Sequence, residues 1–152
     1  MSRFLKKRLE SLEAYTPGEQ PQDMKYIKLN TNESPFPPDE YVISKAKEAA
    51  AGFNVYNDPE CSLLRAKAAE LYGVNKENIL CGNGSDEILY IAFTAFIERA
   101  AFPDITYGFY KVFAELTGAE KKTVPLRENF RLDTSDYMNE KGCLIIANPN
   151  AQ

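Results

Sequence analysis

The sequence predicts an α/β fold, and three observations carry that expectation. Strand-like apolar runs alternate with helix-like runs from residue 78 onward. The run Cys143-Leu144-Ile145-Ile146-Ala147 is almost continuously apolar, as in a strand covered on both faces. The chain has 152 residues, 44% hydrophobic and 26% charged, enough for one globular core without disulfide staples.

Taken in order, residues 1–14 suit a short amphipathic helix with Phe4, Leu5, Leu9 and Leu12 on one side. A breaker follows in Tyr15-Thr16-Pro17-Gly18, and Tyr26-Ile27-Lys28-Leu29 is a short strand candidate. The stretch from Asn30 to Pro38 holds too many prolines for regular structure. Pro37, Pro38, Asp39 and Glu40 then favour a helix start, and that helix stops near Gly52. Leu64, Ala68 and Leu71 mark a second helix ending at Gly73. Beyond it the spacing predicts strand 78–81, helix 85–98, strand 100–102 and helix 107–117. Strand 121–125 follows, placed near an edge by Pro125, then a short helix over 134–140 and the buried strand 143–147. A buried strand running directly into Asn148-Pro149-Asn150-Ala151-Gln152 suggests a sheet that this stretch of sequence does not finish.

Composition excludes several function classes. A net charge of -4 and a pI near 5.0, with no basic face, speak against nucleic acid as a partner. Without histidine, the chain supplies no Ser-His-Asp or Cys-His catalysis and no His-ligated zinc. Cys61, Cys81 and Cys143 lack CxxC spacing and read as reduced thiols of a cytoplasmic protein. No membrane span or signal-peptide core is visible in the sequence.

The most informative corner is Cys81-Gly82-Asn83-Gly84-Ser85-Asp86-Glu87-Ile88. Its glycines permit positive φ, and Ser85 is placed to cap a helix whose free N–H groups suit an anion. The usual nucleotide fingerprints are absent, so the residues alone favour a plain cap over phosphate binding. Tyr56 is either a surface aromatic on Pro59 or a ligand donor. Tyr107 and Asn150 each follow a strand C-terminus, where open α/β sheets bind ligands. Their bland readings are helix-start packing and an Asx-turn. Asn30, Asn32 and Glu33 read by default as polar residues satisfying a proline-rich loop.

KLNTNESPFPP, NVYNDPE, ILCGNGSDEILY, FPDITYGFYKVFAELTGAE and IIANPNA occur in an order that resembles the histidinol-phosphate aminotransferases. These are fold-type-I enzymes dependent on pyridoxal 5'-phosphate, usually homodimeric. The resemblance implies an N-terminal arm and substrate-closing segment over 1–38 and the first part of the large cofactor-binding α/β domain over 39–152. It implies that Gly84, Ser85 and Asp86 hold the cofactor phosphate, largely through backbone N–H groups. Tyr56 would reach the phosphate in a neighbouring subunit, Tyr107 would stack on the pyridine ring, and Asn150 would sit beside the ring's 3-oxygen. Tyr15, Asn32 and Glu33 would help close over an amino acid and a phosphate-bearing substrate.

Two departures qualify the likeness. The turn at Glu98-Arg99-Ala100-Ala101 is a few residues shorter than the family's, and Gln152 stands where a proline is usual. No lysine matches the family's cofactor-bonding position, so no catalytic residue is expected in the chain and it is expected to be inactive by itself. The expected activity of the intact enzyme is amino transfer from glutamate to imidazole-acetol phosphate. Threonine-phosphate decarboxylase, an aromatic aminotransferase and a non-catalytic remnant are the alternatives.

Overall fold

The computed structural model describes residues 3–10, 12–13, 18–22 and 26–150. The chain forms two compact units, Met1–Tyr15 with Gly82–Gln152, and Thr16–Cys81.

In the unit Thr16–Cys81, two helices carry the regular structure. Helix α1, Glu40–Ala50, starts on Asp39, whose carboxylate accepts from the Tyr41 N–H. Helix α2, Ser62–Tyr72, follows Cys61 and stops at Gly73. Both helices are where the apolar spacing places them, yet α1 buries no residue and α2 buries only Ala69. Leu63, Leu64 and Leu71 are exposed. The expected strands 26–29 and 78–81 do not form. Residues 26–29 form no regular element and are exposed, and Lys76–Asn78 is a 3-10 turn leading into unpaired backbone. A strand needs a neighbour to satisfy its backbone groups, and none pairs with either segment among the described residues.

The unit containing Gly82–Asn150 holds the sheet. Helix α3, Gly84–Phe96, turns through Ile97 and Glu98 into β1, Arg99–Pro103. Helix α4, Phe109–Thr117, leads to β2, Glu120–Val124, and two 3-10 turns, Glu128–Phe130 and Thr134–Asp136, precede β3, Cys143–Leu144. The strand order is β2-β1-β3, with every pairing parallel. The register runs from Arg99 opposite Glu120 to Pro103 opposite Val124, and from Ala100 opposite Cys143 to Ala101 opposite Leu144. β2 lies at an edge of this sheet, as Pro125 foretells.

Three expectations need correction here. The N-terminal helix over 1–14 is reduced, among the described residues, to one 3-10 turn at Lys7–Leu9. The helix over 134–140 is likewise a single turn. The last strand is shorter than expected, and residues 143–147 alternate between half-buried and exposed. Only one side of that segment meets the core, through Ile145.

The core is aromatic and sits on β1. Ala100, Ala101 and Phe102 have no exposed surface, and Phe93 has 1%. Phe93 packs on Phe113 at 5.9 Å between ring centroids, and Phe102 on Tyr110 at 5.9 Å. Gly142, with φ +100°, brings the chain so close to β1 that a Cβ there would lie 2.5 Å from the Arg99 carbonyl oxygen. Phe102→Ala is therefore expected to cost about 3–5 kcal/mol and Gly142→Ala about 1–3 kcal/mol in urea unfolding. An unchanged midpoint in either variant would contradict this packing.

Candidate cofactor site

The site grows from the start of α3. Asn83 occupies the N-cap position, but no side chain caps the helix. Ser85, expected as the cap, lies instead within the first turn. The Glu87 carboxylate reaches back to accept from the Asn83 N–H at 2.5 Å, and the Gly84 N–H is turned to the Gly82 carbonyl at 3.1 Å. Gly84 has φ +80° and open space where a Cβ would stand, whereas a Cβ on Gly82 would meet Ile88 Cδ1 at 2.7 Å. The corner is thus folded tightly against its own helix on one side and open on the other. Such a helix start, carrying N–H groups without side-chain acceptors, suits an anion.

The two acidic residues of the first turn are both fixed by hydrogen bonds within the chain. Glu87 is committed to Asn83, and Asp86 Oδ1 accepts the Tyr107 hydroxyl at 2.8 Å in a partly buried bond. That bond joins the α3 start to the loop after β1. The Tyr107 ring is further fixed by Phe109, stacked at 5.6 Å, and by Tyr110 edge-on at 5.6 Å. Asn150 arrives from the other side, its Nδ2 donating to the Ile105 carbonyl at 2.9 Å. One N–H of that amide is thereby used and the second remains for a ligand oxygen. Gly84, Ser85, Asp86, Tyr107 and Asn150 are in this way gathered around the C-terminal end of β1.

The chemistry of this donor set fits pyridoxal 5'-phosphate. The helix start offers N–H groups to a phosphate, Tyr107 offers a fixed aromatic ring, and Asn150 offers an amide donor.

The remaining expected residues belong to the unit Thr16–Cys81, apart from Tyr15, which lies outside the described residues. Thr31 and Asn32 have φ of 62° and 54°, an arrangement strained for a β-branched residue. Glu33 accepts from Lys28 Nζ at 2.5 Å and from the Thr31 hydroxyl at 3.0 Å. The Lys28 hydrogen bond, helped by Thr31, holds the Glu33 carboxyl below its usual range. Tyr56 is fully exposed. Its loop is anchored by Asp58, whose carboxylate accepts the Ser62 N–H at 2.8 Å and the Glu60 N–H at 2.9 Å. Arg65 adds an ion pair to Glu60 at 2.6 Å and a hydrogen bond to the Lys76 carbonyl at 3.1 Å.

Lys28, Asp58 and Arg65 are supporting residues that the sequence reading does not single out. The Asx pattern Asp58-Pro59 ahead of an apolar helix was a usable signal for Asp58. Nothing local marks Lys28 or Arg65, whose partners lie 5 to 11 residues away.

Among the described residues no helix is long and apolar enough to cross a membrane, and no group of three acidic or cysteine side chains is arranged to hold a metal.

The start of α3, open to an anion, thus lies beside a fixed tyrosine at the end of a parallel strand. Residues 24–151 match the family "Aminotransferase class I and II", and the chain belongs to that family. Its sheet and helices form part of the fold-type-I architecture. More particularly, it is 46% identical to the histidinol-phosphate aminotransferase of Clostridium acetobutylicum and 47% identical to that of Brachyspira hyodysenteriae. Each match covers 99% of this chain and 44% of the relative, so the chain spans less than half the length of these curated relatives. The crystal structure of the Clostridium acetobutylicum histidinol-phosphate aminotransferase superposes with a TM-score of 0.66, over 74% of this chain and 34% of that one, at 23% identity. A putative aminotransferase from Burkholderia pseudomallei gives 0.69 over 80% and 38%, also at 23% identity. These superpositions establish the fold.

One pH effect follows from the Asp58 anchor. Its carboxyl is held below the ordinary aspartate range, first by the Ser62 N–H and hydroxyl and then by the Glu60 N–H. A lowered folded value stabilises the native state above the unfolded pKa, and the contribution is lost as pH falls through the folded one. Thermal melts of the wild type should therefore lose stability on acidification at a pH where Asp58→Asn shows a flatter profile. Identical profiles for the two would argue against this anchor.

Proposed function

We propose that the chain forms the phosphate-facing and ring-facing part of a pyridoxal 5'-phosphate site in an aminotransferase. In the intact enzyme the amino group passes from glutamate to imidazole-acetol phosphate, a step of histidine biosynthesis. The observation that carries this reading is the Tyr107–Asp86 hydrogen bond, which ties a fixed aromatic ring to an uncapped helix start. The choice of substrate rests on the identity of 46–47% to relatives named histidinol-phosphate aminotransferase.

When bound, the cofactor supplies the carbonyl that exchanges the amino group and the ring that takes up electrons. The chain's own residues bind and orient it. The N–H groups at Ser85 and Asp86 neutralise the phosphate, assisted by the positive end of the α3 dipole. Tyr107 would hold the ring plane, and its hydroxyl fixes where the Asp86 carboxylate lies. The free N–H of Asn150 orients the ring through its 3-oxygen. Tyr56, exposed on its anchored loop, supplies a hydroxyl to the phosphate site of a second copy in a cytoplasmic homodimer. Asn32 and Glu33 would serve substrate binding, as in the resemblance, and within their own unit Lys28 holds Glu33.

Binding of pyridoxamine 5'-phosphate to the 152-residue chain, followed by ligand fluorescence, tests the reading without requiring a lysine. Inorganic phosphate should compete. Tyr107→Phe should weaken binding about fivefold through loss of one hydrogen bond, and Ser85→Ala should change it little because backbone groups carry the phosphate. Wild-type binding that is indifferent to phosphate would sink the proposal. Pyridoxal 5'-phosphate itself should produce no band at ~420 nm that depends on one particular lysine of this chain, and no amino transfer.

A further inference from the structure

We infer that Asp104 is a positioning residue for the cofactor-facing loop. Resting on the cofactor reading above, it sets the peptide on which Asn150 and Tyr107 depend. The chain of causes begins at β2. The Asp104 N–H donates to the Val124 carbonyl at 3.0 Å, the last rung between β1 and β2. Pro125 comes next and turns its ring nitrogen away from β1, so the next N–H to face β1 is that of Leu126. The side chain of Asp104 takes over. Its Oδ1 accepts the Leu126 N–H at 2.9 Å, and the same oxygen accepts the Ile105 N–H at 2.9 Å.

Ile105 is consequently held at both ends, its N–H by Asp104 and its carbonyl by Asn150 Nδ2 at 2.9 Å. Two residues later Tyr107 binds Asp86 at 2.8 Å. Release of the Ile105 N–H would free the backbone of Ile105 to turn, shift its carbonyl in the next peptide unit away from Asn150, and re-aim the segment carrying Tyr107. Asp104 is itself exposed, so burial does not account for its conformation. One carboxylate oxygen shared by two amides 21 residues apart accounts for it, and charged acceptors make stronger bonds to such amides than neutral ones.

The test uses the 152-residue chain and pyridoxamine 5'-phosphate as the probe. Asp104→Ala should bind it about tenfold more weakly, whereas Asp104→Asn, which keeps an oxygen acceptor, should stay within about twofold of wild type. In a cycle with Asn150→Ala the two losses should be less than multiplicative, because both act through the Ile105 peptide. In the unaltered chain the probe should slow hydrogen exchange at the Leu126 and Ile105 amides together. That measurement decides the matter if Asp104→Ala does not fold. Equal affinity in Asp104→Ala, an equal loss in Asp104→Asn, fully multiplicative losses, or a Leu126 amide indifferent to the probe would each overturn the positioning role alone. Failure of the wild type to bind the probe would overturn the site reading as well.

Discussion

Ala100, Ala101 and Phe102 are withdrawn entirely from solvent in the middle strand of the sheet, and the arrangement around Gly82–Asn150 follows from that burial. Small side chains at Ala100 and Ala101 let neighbouring elements approach, while Phe102 contributes about 1.5–3 kcal/mol by its own transfer from water. Because β1 pairs on both edges, it cannot shift register without breaking both ladders. Its C-terminal end is therefore a fixed point. The loop 104–107 leaves from it, and three separate segments are referred to that loop: α3 through Asp86, the end of β2 through Leu126, and the segment after β3 through Asn150.

The electrostatics of the corner are arranged around occupied carboxylates. An acidic first turn favours the helix dipole but opposes a bound phosphate, and the two effects are comparable in kind. The chain gives each acid an internal donor. Glu87 takes the Asn83 N–H and Asp86 takes the Tyr107 hydroxyl. These bonds fix the direction of each carboxylate and leave its charge in place.

How much was legible beforehand differs between local and long-range features. The four main helices and the β1 and β2 strands agree with spacing, breakers and Pro125, since those signals act within a few residues. That Tyr107 and Asn150 each follow a strand was also legible, whereas Gly84 was expected after strand 78–81 and instead meets the end of β1 through Asp86 and Tyr107. Strands 26–29 and 78–81 misled because an apolar run specifies a wish to pair and says nothing about the presence of a partner. The Ser85 cap failed for a subtler reason. Asn83 and Ser85 are both cap formers, and the helix starts at Gly84 with Asn83 at the N-cap position, one residue ahead of the serine. Asp104 could not be picked out at all, since its role depends on Leu126, 22 residues away.

The short link between α3 and β1 has a geometric consequence for the site. Only Ile97 and Glu98 separate the two elements, so α3 must fold back along β1. Thirteen helical residues extend about 20 Å at 1.5 Å each, and five strand residues about 17 Å at 3.3 Å each. Near-equal lengths with a tight reversal bring the first turn of α3 level with the residues just beyond Pro103. That is where Asp86 finds Tyr107. A longer connection would leave the helix free to slide along the strand, and the hydrogen bond would then have to choose the register by itself. Here the connection limits the register first and the Tyr107 hydroxyl selects within it. The position of the anion-ready helix start is thus a product of backbone lengths, with the side-chain bond as its final adjustment.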